Sequence, residues 1–442
     1  MSAATAAPGR RLFGTDGVRG VAGEFLSAEL ALGLARAATA RVGREAPGTP
    51  PRVLIIRDTR ESGEMLEAAL AAGVAAAGGE ALLGGVLPTP GAPLLVRRYG
   101  FDLGVVLSAS HNPYGDNGIK CFGGDGFKLS DAVELEIEQL LDSPPASPGV
   151  GRVCRFQGAL EDYLRALHER FEGLDLSGRR ILLDCANGAT HEAAPEIFRR
   201  LGAHVDAIAA EPDGRNINAG CGSTHMDTLV AAMREGNHDA GFAFDGDGDR
   251  VLAVDGGGTV VDGDELIALA ALHLGAPGVA VTVMTNYGFH TAMEQAGVEV
   301  ATTPVGDRYV LEALRERSWR LGGEQSGHII DMEFVPSGDG IAAALLTLEA
   351  LAGSDLAQRH AMEKLPQRLV NVAVRDREAF AGDAELQAAV EAESAALAGR
   401  GRVLLRPSGT EPLVRVMVEA PTAEETDAVC ERLVAIVRSR AA

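Results

Sequence analysis

The sequence predicts an α/β protein built from three related α/β units, each containing a βαβ motif, and a smaller C-terminal α+β domain. Three observations predict it. The chain has 442 residues, enough for about three domains or slightly more. The same order of apolar strand, helix and second strand occurs three times. Each occurrence is followed by a further strand that ends in a loop rich in polar, chemically capable side chains.

The repeats are legible residue by residue. The first opens with VLIIRDTR after Arg52, runs through a helix that includes Met65–Gly79, and reaches a strand at ALLGGV from Ala81. The second opens with ILLDCANGAT after Arg180, continues as AAPEIFRRLG and returns as HVDAIAA. The third opens with VAVTVMTNYG after Gly278, continues as TAMEQAG and returns as EVATT. Each second strand runs into a proline loop (PTP at 88–90, EPDGRN at 211–216, TPVGDR at 303–308). Strand, helix and strand in this order imply parallel pairing across a helical crossover. The further strands are FDLGVVL, leading into SASHNP; DAGFAF, leading into DGDGDR; and RLGG, leading into EQSGH. Ligands in open α/β sheets bind beyond the carboxyl ends of the strands, so three such loops suggest one cleft lined from three sides. The last segment reads differently: a strand LVNVAV, a helix near 384–398, RVLLRPSGTEPLVRVMVEA and a final helix form the α+β domain. Boundaries are expected near 153, 256 and 368.

Composition narrows the class. Hydrophobic residues make up 46% and charged residues 23%, the balance of a globular protein rather than a disordered one. Five scattered cysteines, at 121, 154, 185, 221 and 430, show no C-x-x-C spacing, so neither a disulfide scaffold nor a cysteine metal site is expected. Free thiols fit a reducing, cytoplasmic setting. The net charge of −22 argues against nucleic acid as a partner, which needs a basic footprint. The most apolar stretch, 68–87, is mostly Ala and Gly with Glu80 inside it; a helix followed by a strand explains it better than a membrane span. The N-terminal residues, despite Arg10 and Arg11, lack the apolar run of a signal peptide. Only three lysines, Lys120, Lys128 and Lys364, stand among 40 basic residues. Lysines retained against that bias are enriched where arginine cannot serve, for example where a proton must move.

Four loops carry the chemistry. In DGDGDR, Asp245, Asp247 and Asp249 bring three hard oxygen donors together, and the intervening glycines allow a tight turn. That donor set suits Mg²⁺ or Ca²⁺. The calcium loop of an EF-hand fails, because its sixth and twelfth positions here are Arg250 and Gly256. Mg²⁺ keeps water or phosphate among its ligands, so a phosphate is expected nearby. SASHNP places Ser108 and Ser110 in a polar turn after a buried strand; either is a candidate nucleophile or phosphate carrier, or a capping hydroxyl. His111 could orient that serine, and Lys120 in DNGIK is the candidate for proton transfer. A cation opposite a serine is what phosphoryl transfer requires. RPSGTEP, with Arg406, Ser408, Gly409 and Thr410, and Arg415 beyond it, reads as an anion cradle. Glu324 and Ser326 in GEQSGH offer groups suited to sugar hydroxyls, and Arg19 in FGTDGVRG is a possible anion contact.

Taken together, FGTDGVRG, SASHNP with DNGIK, DGDGDR, GGEQSGH and RPSGTEP, in this order along nearly the whole chain, resemble the α-D-phosphohexomutase family. The resemblance implies four domains around a central cleft: 1–153 with the phosphoserine loop, 154–256 with the metal, 257–368 for sugar recognition and 369–442 for phosphate binding. It implies that Ser110 is the residue that carries the phosphoryl group and that Asp245, Asp247 and Asp249 hold one Mg²⁺ together with it. It implies support from Arg250, proton transfer and phosphoryl contacts from Lys120 and Arg19, and sugar contacts from Glu324 and Ser326. The non-reacting phosphate would lie on Arg406, Ser408, Gly409, Thr410 and Arg415; His328 and Arg308 vary in role across the family. The expected reaction interconverts glucosamine 6-phosphate and glucosamine 1-phosphate through a 1,6-bisphosphate, which also primes the serine, on the route to UDP-N-acetylglucosamine and the cell wall. Related enzymes are often dimers, so a homodimer is a further expectation; no membrane partner is expected. The same mechanism on glucose or mannose phosphates, a metal-dependent phosphatase and a non-catalytic calcium-binding protein are the alternatives.

Overall fold

The computed structural model describes residues 12–45, 48–143, 146, 149–374, 383–407 and 413–441. The described residues divide into two compact units, those within 12–283 and 301–359, and those within 284–300 and 360–441. Sequence explains the central strands directly. VLII, LGVVL, AGFAF and GVAVT are buried along their whole length, the continuous apolar pattern of strands covered on both faces.

In the first repeat, β1 (Val18–Val21), α1 (Ala28–Val42), β2 (Arg52–Arg57), α2 (Ser62–Ala76), β3 (Glu80–Val86), α3 (Gly91–Tyr99), β4 (Leu103–Leu107), β5 (Asp116–Gly123), α4 (Asp131–Asp142) and β6 (Arg152–Arg155) follow one another. The sheet order is β1-β5-β4-β2-β3-β6. The second repeat, after α5 (Ala159–Arg170), comprises β7 (Arg180–Asp184), α6 (Thr190–Arg200), β8 (His204–Ile208), α7 (Asp227–Glu235), β9 (Ala240–Phe244), β10 (Val251–Asp255) and β11 (Val260–Val261), ordered β11-β10-β9-β7-β8. The third, after α8 (Gly263–His273), comprises β12 (Gly278–Thr282), α9 (Tyr287–Ala296), β13 (Glu299–Thr303), α10 (Asp307–Arg317), β14 (Leu321–Gly323), β15 (Ile329–Asp331) and α11 (Gly340–Leu351), ordered β13-β12-β14-β15.

One arrangement therefore recurs. The opening strand of each repeat lies between its second and third strands: β3-β2-β4, β8-β7-β9 and β13-β12-β14. The pairs β2 with β3 and β4, β7 with β8 and β9, and β12 with β14 are parallel. The structure adds a feature that the repeat pattern did not reveal. After each third strand the chain turns and comes back antiparallel, as β5, β10 and β15. The loaded loops are these turns. They are held at the carboxyl ends of β4, β9 and β14, and the return strand brings a second set of side chains back beside the first.

Several helix starts are capped by short polar side chains. Ser27, Ser130 and Asp339 accept the free N–H groups of α1, α4 and α11. Asp262 and Glu265 form a reciprocal capping box on α8. The stretch 68–87 is α2 followed by β3, as its composition indicates, and no helix among the described residues is long and apolar enough to cross a membrane. All five cysteines are free.

The other unit contains α9 together with β16 (Gln367–Ala373), α12 (Ala384–Ala396), β17 (Arg402–Pro407), β18 (Leu413–Glu419) and α13 (Ala423–Ala441), with strand order β16-β18-β17 and both pairs antiparallel. Val414, Val416 and Val418 pack with Leu433, Val434 and Val437 of α13 to form its core.

Candidate active site

Ser110 lies in the turn that joins β4 to β5. Its backbone is left-handed, with φ 52°, a conformation that disfavours any residue with a Cβ by about 1 kcal/mol or more. A buried polar frame holds it there. The Ser108 hydroxyl accepts the Ser110 N–H at 2.9 Å and donates to Asp58 Oδ2 at 2.6 Å. Asp58 pairs in turn with Arg60, and both side chains are fully buried. Arg60 donates to the carbonyls of Ser110 (3.1 Å) and Asn112 (2.6 Å). Asn218 Nδ2 donates to the same two carbonyls, at 2.9 and 3.0 Å. Ser108 is thus a brace, and the hydroxyl that faces the acids belongs to Ser110.

The Ser110 hydroxyl donates to Asp245 Oδ2 at 2.5 Å. Asp245, Asp247 and Asp249 are buried, and one carboxylate oxygen from each lies within 4.8 Å of the others. The glycines between them are needed. A Cβ at Gly246 would sit 2.7 Å from both Asn218 Nδ2 and the Ser110 carbonyl oxygen, and Gly248 has φ +72°. The loop from the second repeat is therefore in backbone contact with the serine loop from the first.

Two cations stand against the acids. Lys120, returning on β5 opposite Val106, is 2.7 Å from Asp247 Oδ2 and 3.5 Å from Asp249 Oδ2. Thr89 donates to the same Asp247 oxygen at 2.6 Å. Arg250 Nη1 reaches His111 Nδ1 at 3.4 Å, and that nitrogen is 3.3 Å from Ser110 Oγ. Asp16 pairs with Arg19 and, at 3.3 Å, with Lys120. Lys128 binds Asp16 and also Asp307, each at 2.5 Å. His328 Nδ1 lies 3.6 Å from Asp249 Oδ1.

Electrostatics follow from this crowding. Burial, with Asp249 and Asp247 beside it, pushes the Asp245 carboxyl well above the usual carboxylate range. Burial acts the same way on Asp249, but Lys120, His328 and Arg250 outweigh it and hold that carboxyl below the usual range. Burial, reinforced by Arg250 and Arg19, lowers His111, which favours a neutral imidazole able to accept from the Arg250 guanidinium. Burial would also lower Lys120, but Asp16, Asp247 and Asp249 reverse the sign and raise it. Lys120 is thus held as an ammonium here; releasing its proton, and so taking one up again, requires its acid partners to be neutralised.

The acids fit a divalent cation. Three buried carboxylates packed this closely repel one another, which is part of why the Asp245 carboxyl is raised, and a divalent cation between them would relieve that repulsion. Asp247 Oδ1 is buried and has no hydrogen-bond partner, an acceptor left for a ligand of another kind. Three carboxylates and a serine oxygen form an all-oxygen set suited to a hard ion.

The sugar-recognition candidates lie on the turn after β14. Glu324 is half-buried, and its Oε1 accepts the Gly306 N–H at 3.0 Å; Ser326 is exposed. Arg308 contacts the Leu129 carbonyl at 3.2 Å and pairs with Asp131, an anchoring role. In the other unit, Arg406 and Arg415 face each other across β17 and β18. Burial and the neighbouring Arg415 both lower Arg406. Ser408, Gly409 and Thr410 lie outside the described residues. Sequence reading passed over Asp58, Arg60, Asn218, Thr89, Asp16 and Asp307. Only Lys128 carried a signal, as one of three lysines.

Comparison with known proteins decides the family. The chain matches the models described as phosphoglucomutase/phosphomannomutase α/β/α domain I over residues 10–146, domain II over 161–258, domain III over 262–369 and the C-terminal domain over 369–436. The chain belongs to the phosphoglucomutase/phosphomannomutase family. Within that family it is 50% identical to a phosphoglucosamine mutase of Deinococcus deserti, over 98% of this chain and 99% of that one. It is 51% identical to a phosphoglucosamine mutase of a Nocardioides species, over 98% and 99%. Family members of known structure share its fold. A phosphoglucomutase/phosphomannomutase family protein of Burkholderia thailandensis superposes with TM-score 0.80 at 22% identity, covering 97% of this chain and 98% of that one. An N-acetylphosphoglucosamine mutase of Aspergillus fumigatus, solved with GlcNAc-6P and magnesium, superposes with TM-score 0.71 at 19% identity, covering 98% and 97%.

Proposed function

We propose that the chain is a phosphoglucosamine mutase, interconverting glucosamine 6-phosphate and glucosamine 1-phosphate through a phosphoserine at Ser110 and a glucosamine 1,6-bisphosphate intermediate. The observation that carries the reading is the Ser110 hydroxyl, 2.5 Å from Asp245 within a cage of three buried acids. High identity to relatives of that name along the whole chain supports the substrate.

Phosphoryl transfer is mostly positioning and charge neutralisation. Asp245, Asp247 and Asp249 would hold Mg²⁺, which when bound draws charge from the transferring group. Phosphorylated Ser110 gives its phosphoryl to O1 of glucosamine 6-phosphate: the Oγ–P bond breaks, the P–O1 bond forms, and the proton leaving O1 is balanced by the one gained at Ser110 Oγ. Lys120 is proposed to relay that proton, with Arg19 on the phosphoryl oxygens. The bisphosphate then turns over in place and returns its 6-phosphoryl to Ser110, releasing glucosamine 1-phosphate. His111 and Arg250 steady the serine loop, while Glu324 and Ser326 are proposed to read sugar hydroxyls.

The non-reacting phosphate is assigned to Arg406 and Arg415 with Ser408, Gly409 and Thr410. Two like charges directly across a strand pair are unfavourable, and a bound dianion would reverse that. Domain limits near 153, 256 and 368 are proposed for the phosphoserine, metal, sugar and phosphate domains. A coupled assay of glucosamine 1-phosphate formation, with Mg²⁺ and a sugar 1,6-bisphosphate primer, tests the function. Rates on glucosamine 6-phosphate well above those on glucose and mannose phosphates are expected, whereas net release of inorganic phosphate would contradict it.

A further inference from the structure

Lys128 is largely buried, at 15% side-chain exposure, and contacts no candidate catalytic or metal-binding residue directly. It lies beyond β5, bridged to Phe122. Its ammonium spans two carboxylates 2.5 Å away on either side, Asp16 Oδ1 and Asp307 Oδ2. Asp307 is the first residue of α10 in the third repeat. Asp16 uses its other oxygen, Oδ2, for Arg19 and Lys120. One carboxylate is thus divided: one oxygen faces Lys128 and the other faces the two cations proposed to handle the phosphoryl group and its proton.

We infer that Lys128 is a positioning residue for phosphoryl transfer: through Asp16 it fixes the placement of Lys120 and Arg19, using Asp307 as its anchor. The terminal torsion of an aspartate is broad and roughly two-fold, so Asp16 alone would not choose which oxygen meets which cation. Lys128 makes that choice. The anchor is itself fixed at the mouth of the sugar-recognition turn, because the neighbouring Gly306 N–H is bonded to Glu324. The path from Glu324 to Asp247 is therefore continuous: Gly306–Asp307, Lys128, Asp16, Lys120. This inference rests on the mutase reading.

The same junction supplies its own control. Arg315 of α10 stacks over Phe127, 4.4 Å from the ring centroid, and this contact joins the same two segments without involving Asp16. Steady-state kinetics in the coupled assay should separate the two. Lys128→Met is expected to lower kcat by about tenfold or more, in line with the cost of a misplaced catalytic group, with KM changed by less than about threefold. Lys128→Arg should recover most of the loss. Asp307→Asn should reproduce the Lys128→Met loss, and serves as the test should Lys128→Met not fold. Arg315→Ala should turn over like the unmodified chain. A Lys128→Met or Asp307→Asn enzyme within about twofold of normal kcat overturns the inference, as does an equal loss in Arg315→Ala, which would make the junction merely structural. If the unmodified chain itself fails to isomerise any hexose phosphate, the mutase reading falls and the inference with it; an active parent with an indifferent Lys128→Met removes the inference alone.

Discussion

Ser110 Oγ and Asp245 Oδ2 lie 2.5 Å apart although 135 residues separate them in the chain. Neither position is reached by local preference. Ser110 sits at φ 52° because Arg60 and Asn218 grip the carbonyls on either side of His111. Asp245 faces it because Gly246 lets the acid loop press its backbone against the serine loop. The contact joins the first repeat to the second.

Ser110→Ala removes the hydroxyl that donates to Asp245 while leaving the frame of Asp58, Arg60 and Ser108 in place. Turnover in the coupled assay should vanish, and the thermal midpoint should fall by no more than a few degrees, because alanine meets a similar left-handed backbone cost to serine.

Asp247 has one oxygen taken by Lys120 and Thr89 and one without a protein partner. Asp247→Ala should abolish both the binding heat of Mg²⁺ in calorimetry and mutase activity. Retained Mg²⁺ binding at unchanged affinity would place the cation elsewhere.

Arg60 is fully buried against a buried Asp58. Arg60→Met leaves that carboxylate unpaired and should cost on the order of 3–5 kcal/mol in denaturant unfolding. Asn218→Ala, which removes one donor of a doubly held carbonyl pair, should cost roughly 1–2 kcal/mol but lower kcat at least as strongly as Arg60→Met among the molecules that remain folded.

Asp339 is buried at the start of α11, where Tyr163 donates to both its oxygens at 3.0 Å, and burial raises its carboxyl to about 7. Because the folded value lies above the unfolded one, the folded chain binds this proton more tightly. Its contribution is fully present below about pH 4, declines as pH rises, and is gone above about pH 7. Asp339→Asn imitates the protonated form. The stability of the variant relative to the parent should therefore rise between pH 5 and pH 7.5 in urea titrations; a constant difference would refute the assignment.

Much of this was legible in the sequence, and the gaps have physical causes. Continuous apolar runs such as LGVVL and AGFAF announce buried parallel strands, and the alternating acids of DGDGDR announce a cation site, because both signals are local. The return strand β5 was missed because DNGIKCFG mixes glycine, polar and apolar types without a strict period, and β10 (VLAVD) and β15 (IID) were missed because they are short apolar runs directly behind the loaded loops. Asp58, Arg60 and Asn218 were missed because a buried polar brace looks like any polar loop until its distant partners are in place, about 50 residues along the same repeat for Asp58 and Arg60 and in the first repeat for Asn218. Lys128 was visible only as a rarity of composition; its two carboxylates lie 112 and 179 residues away.

The central claim is tested most directly by following one phosphoryl group. The protein would be charged with ³²P-labelled sugar 1,6-bisphosphate and freed of excess ligand. The peptide carrying residues 108–113 would then be analysed before and after a single turnover with unlabelled glucosamine 6-phosphate. The account predicts label on Ser110 first and on glucosamine phosphate afterwards. Label on another residue, or label that leaves only as inorganic phosphate, would contradict it.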